Sequence, residues 1–83
     1  MKIENFVENF KNQLEDTDIA ILPETDFANA EYWDSLTAMV VKVMIEDDYG
    51  VDIQPEKISS FQSVQELFDF IVEKKQNADE SQH

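Results

Sequence analysis

Residues 34–50 read DSLTAMVVKVMIEDDYG, and the fold turns on how this stretch is taken. Asp34 and Ser35, both residue types that cap helix starts, stand before an apolar run. Gly50, the chain's one glycine, stands where a left-handed C-terminal cap belongs. The stretch therefore reads as a helix from about Ser35 to Tyr49. Its helical wheel shows two apolar stripes. Leu36, Val40 and Val43 lead to Asp47 on one side; Ala38, Val41, Ile45 and Tyr49 lie nearly opposite, with Met39 and Met44 at the margins. A small bundle needs one such stripe for its core. Periodicity leaves two readings of the other: a central helix buried on both sides, or a face turned to a partner or a bound cargo beside Ser35.

Upstream, Ile3, Phe6, Val7, Phe10 and Leu14 fall at helical spacing and predict a first helix from about residue 3 to 14. Asp16-Thr17-Asp18 favours a turn there. From this turn to Asp34 no period is sustained, which is long for a connection in so small a domain. Ile19, Ile21, Leu22 and Phe27 are expected to pin this loop to the core, with Phe27 in a short turn.

Downstream, Val51-Asp52-Ile53-Gln54 reads as extended, and Pro55 suits the first position of a short helix through Ile58. Ser63-Val64-Gln65-Glu66 is a capping box opening a last helix, with Val64, Leu67, Phe68 and Ile71 on one stripe. Lys74 and Lys75 fall at its C-terminal end, where cations suit the helix dipole. No strand alternation or repeat appears. The expected fold is all-α: a small antiparallel helix bundle of three main helices and one short helix, with a long loop between the first and second helices. Residues 1–75 form the domain, and residues 76–83 a polar, disordered tail.

Nineteen acidic residues against six lysines give a net charge of −13. Such a surface repels nucleic acid and anionic membranes and steers toward basic patches. The N-terminal Met1-Lys2-Ile3-Glu4 lacks a signal peptide's apolar design, and no apolar run approaches the roughly 20 residues that span a bilayer. A cytoplasmic monomer without stable membrane insertion is the expectation, and the absence of cysteine fits a reducing compartment.

Little in the chain can do chemistry. There is no cysteine, and the one histidine, His83, stands in the polar tail. One glycine cannot build a phosphate-cradling loop. The acids Glu46-Asp47-Asp48 do not make a calcium loop, because Ile45 and Tyr49 stand where oxygen ligands are needed. No metal site and no enzyme is expected. Ser35 is the one candidate reactive position, and Asp34-Ser35-Leu36 by itself reads first as a helix cap.

The setting of Ser35 changes its reading. Asp34-Ser35-Leu36, Glu46-Asp47-Asp48-Tyr49-Gly50-Val51 and the final helix from Ser63-Val64 to Phe70-Ile71 together resemble the acyl carrier protein family, over nearly the whole chain from Ile3 to about Lys75. The resemblance implies a carrier whose Ser35, flanked by Asp34 and Leu36, is esterified by 4′-phosphopantetheine transferred from coenzyme A by a phosphopantetheinyl transferase. It implies acyl cargo held as thioesters for fatty-acid, polyketide or other specialised biosynthesis. It also implies a recognition face of Leu36, Thr37, Val40, Val43, Glu46 and Asp47 toward acyl-loading and acyl-using enzymes with basic or mixed basic and apolar patches. An aminoacyl or D-alanyl carrier, or an unmodified acidic helical adaptor, is the alternative. The sequence departs from the family at Thr37 and Val40, where fatty-acid carriers usually have acids, at Lys42, where an apolar residue is common, and at Trp33, in place of a glycine-containing turn. These departures imply a surface near the arm that is less acidic and more apolar, and a specialised pathway.

Overall fold

A computed structural model describes residues 2–14 and 18–80, with the backbone alone for residues 77–80. Its described residues form four helices: α1 (Ile3–Asn12), α2 (Ser35–Tyr49), α3 (Pro55–Ile58) and α4 (Val64–Glu80). They contain no strand. The small helical bundle expected from the sequence is what the chain forms. The expected Asp16-Thr17 turn lies outside the described residues, as does His83.

The core is an aromatic chain closed by aliphatic side chains. Phe6 meets Tyr49 of α2 and Phe68 of α4, each at 5.6 Å between ring centroids. Phe10, one turn on, meets Phe27 of the long loop at 5.2 Å. Edge-to-face and tilted contacts of this kind add about 0.5–1.5 kcal/mol per pair beyond the area they bury. Val41 and Ile45 of α2, Ile58 of α3, and Val64, Leu67 and Ile71 of α4 fill the rest, all fully buried. α1 ends at Asn12, sooner than its apolar spacing suggests, but Leu14 in the following turn is still buried.

The long loop is held differently from the expectation. Ile21 and Phe27 are buried and Ile19 packs partly against the core, but Leu22 is 53% exposed. Backbone contacts replace its anchoring role. The Val64 and Gln65 N–H groups, left without partners at the start of α4, donate to the Thr25 carbonyl at 3.1 Å and the Pro23 carbonyl at 2.8 Å. The loop thus caps a helix far along the chain. Ser63 supplies the first half of the capping box, its hydroxyl accepting from the Glu66 N–H at 3.2 Å. Phe27 starts a short turn, as expected, with the Ala30 N–H donating to its carbonyl.

At the other end of α2, Gly50 adopts φ 70°, the left-handed cap, and its N–H donates to the Glu46 carbonyl. α4 remains helical through Glu80, where a disordered tail was expected from residue 76.

Candidate functional site

The start of α2 separates two tasks that the sequence could not. Asp34 is the cap: its carboxylate Oδ1 accepts from the Thr37 N–H at 2.8 Å, and its extended backbone precedes the first helical residue. That hydrogen bond, helped by the Thr37 side chain and the Leu36 N–H, holds the Asp34 carboxyl below the ordinary carboxylate range. Ser35 is therefore not needed to close the helix. It is exposed, and its hydroxyl has no hydrogen-bond partner among the described residues. A free hydroxyl at a fixed helix start can accept a covalent group without unmaking the fold. An anion placed there shares the first turn with the Asp34 carboxylate instead of having its N–H groups to itself.

Two concavities flank this turn. On the α1 side a pocket of about 300 Å³ is lined by Gln13, Leu14, Ile19, Tyr32, Thr37 and Val40, among others. On the α3 side a groove of about 440 Å³ is lined by Trp33, Ser35, Ala38, Met39, Pro55 and Ser59, among others. Ser35 opens into the second.

Trp33 is gripped from three directions. Its indole stacks on Phe10 at 5.9 Å with the ring planes 3° apart, and meets Phe27 edge-on at 4.7 Å. Its Nε1–H donates to the Ser59 hydroxyl at 3.0 Å, just past the end of α3. This link joins residues far apart in sequence, so no local pattern announces it. Tyr32, beside it, has a buried hydroxyl without a hydrogen-bond partner among the described residues, and burial, with Asp26 nearby, pushes its pKa above the usual phenol value.

The two stripes of α2 resolve cleanly. Ala38, Val41, Ile45 and Tyr49 are buried, and Met44 joins them. Leu36 is 66% exposed and Val43 50%, with Met39, Val40 and Asp47 exposed beside them. A hollow of about 400 Å³ follows this face between Gln13 and Asp48. Of the sequence-derived recognition residues, Leu36, Val40, Val43 and Asp47 share this open face. Thr37 is half-buried, its hydroxyl donating to the Tyr32 carbonyl at 3.3 Å. Glu46 is exposed but paired with Lys42, which also reaches Asp52 at 2.9 Å. Both acids hold the Lys42 ammonium above its ordinary range, and Lys42 lowers that of Asp52. Lys42 thus cancels one of the acids nearest the stripe.

No group of acidic or histidine side chains able to hold a metal occurs among the described residues, and no described helix is long and apolar enough to cross a membrane.

The family model described as "Phosphopantetheine attachment site" matches residues 6–71, well over half of the chain. An acyl carrier protein from Thermosynechococcus vestitus is 33% identical over 51 residues, which is 61% of this chain. The chain spans 63% of that relative's length. No solved structure matches the chain significantly. The exposed serine without a hydrogen-bond partner and the groove beside it fit a covalently attached arm. The chain belongs to the phosphopantetheine attachment site family, that of the acyl carrier proteins, whose cofactor is covalent 4′-phosphopantetheine.

Proposed function

We propose that Ser35 is the attachment point and that the protein is an acyl carrier, a substrate and shuttle for other enzymes without a catalytic site of its own. One observation carries this reading: Asp34 performs the capping, which leaves the Ser35 hydroxyl exposed on a rigid turn. When bound, the arm supplies a terminal thiol that holds acyl groups as thioesters, which is why a chain without cysteine suffices. The chain's own contributions are the placement of Ser35, the groove beside it, and the α2 face of Leu36, Val40, Val43 and Asp47. That face is the docking surface for the transferase and for enzymes that load and use the cargo. Its apolar character, with Glu46 drawn off by Lys42, supports partners with mixed apolar and basic patches and a specialised biosynthetic pathway over primary fatty-acid synthesis.

The test is incubation with coenzyme A and a promiscuous phosphopantetheinyl transferase, followed by intact mass. Wild type is expected to gain one arm, and Ser35→Ala none. A wild-type chain that stays unmodified with several transferases is an acidic helical adaptor instead.

A further inference from the structure

We infer that Trp33 is a positioning residue for the arm, its indole forming the wall along which the arm leaves Ser35; this rests on Ser35 being the attachment point. Of the two concavities beside the start of α2, only the α3-side groove is lined by Ser35. An arm on that oxygen therefore begins in this groove. Trp33, Ala38, Met39 and Pro55 give the groove an apolar wall, and Asp34, Glu56 and Ser59 give it a polar rim. Pantetheine has the matching alternation, with a gem-dimethyl segment near its phosphate and two amides farther out. The methyl groups suit the wall, and the amides suit the polar rim.

The indole is also unusually fixed for a half-buried side chain. Phe10 holds it from α1, Phe27 from the long loop, and Ser59 from α3. A tryptophan serving only to bury area does not need the third contact, since its N–H could reach water where it stands beside exposed Ser59. The Nε1–H bond sets the tilt of the ring against the groove. A rigid aromatic wall costs little entropy on contact and confines an otherwise free chain.

Trp33 is the only tryptophan, so its fluorescence reports the groove directly. Apo and arm-bearing protein are compared by emission, and the arm's geminal methyl groups are followed by NMR, with intact mass confirming attachment. The expected result is a changed Trp33 emission on attachment and an upfield displacement of the methyl signals from those of free pantetheine. Trp33→Leu should abolish that displacement. Ser59→Ala, which leaves every buried side chain in place, should load fully and reduce it. Complete loading with methyl signals like those of free pantetheine overturns the positioning role and leaves the attachment point standing. A displacement that survives in Trp33→Leu also overturns it. Absence of any mass gain in wild type overturns both readings. If Trp33→Leu does not fold, the wild-type and Ser59→Ala spectra decide.

Discussion

The ammonium of Lys75, on α4, donates to the carbonyl oxygen of Tyr49 in the last turn of α2, 3.2 Å away. That turn carries Glu46, Asp47 and Asp48 and no basic residue of its own, against the negative end of the helix dipole. A cation lent by another helix offsets this. Lys75→Ala should lower stability by about 0.5–1.5 kcal/mol. Lys75→Gln, which keeps a donor but not the charge, should fall between. Denaturant unfolding of the two variants checks the order.

Val40 and Ile45 lie on opposite faces of α2, one exposed and the other fully buried. Val40→Glu should change stability by less than about 1 kcal/mol, as surface substitutions do. Ile45→Ala should cost about 2–5 kcal/mol through lost burial and the cavity left behind. Circular dichroism during thermal unfolding separates the two. A large loss from Val40→Glu would remove it from the proposed docking face.

Asp34 makes stability depend on acid in a definite direction. Its carboxyl titrates lower in the folded chain than in the unfolded one, so its contribution is complete above the unfolded value of about 4. That contribution fades as pH falls through the lower folded value. The difference in thermal midpoint between wild type and Asp34→Ala should be constant from neutral pH down to about pH 5, then shrink below about pH 4. A difference that stays the same at low pH would show that the capping carboxylate is not its source.

Tyr32 buries a hydroxyl that has no hydrogen-bond partner among the described residues. An unsatisfied buried group of this kind costs about 1–3 kcal/mol, so Tyr32→Phe should leave stability unchanged or raise it by about 1 kcal/mol. Thermal unfolding measures this. A clear loss would mean that the hydroxyl has a partner, such as a bridging water.

Much of this architecture was legible in local chemistry. Gly50, Pro55 and Ser63 each mark a helix boundary by a local preference, a left-handed φ, a fixed φ and a capping hydroxyl in turn, and each boundary falls there. The two stripes of α2 were also legible, but not which one faces inward. That depends on where Phe6, Phe10 and Phe68 arrive from other helices, and periodicity within one helix does not contain it. The site divides in the same way. Asp34-Ser35 marks the position, but which of the two caps the helix rests on a single hydrogen bond. The Trp33–Ser59 link and the loop carbonyls capping α4 are long-range contacts between residues of ordinary local propensity. Leu22 misled because hydrophobicity says what a side chain favours, and the backbone path of Pro23 to Thr25 left it outside.

The open stripe of α2 gives the excess of acid a colloidal meaning. Leu36, Met39, Val40 and Val43 present bare hydrocarbon on one face, which in a near-neutral protein invites self-association. Mutual repulsion between chains of charge −13 keeps those faces apart while leaving them open to an oppositely charged surface. The guard fails near the isoelectric point, about 4.1, where the stripe meets its own copies before any partner.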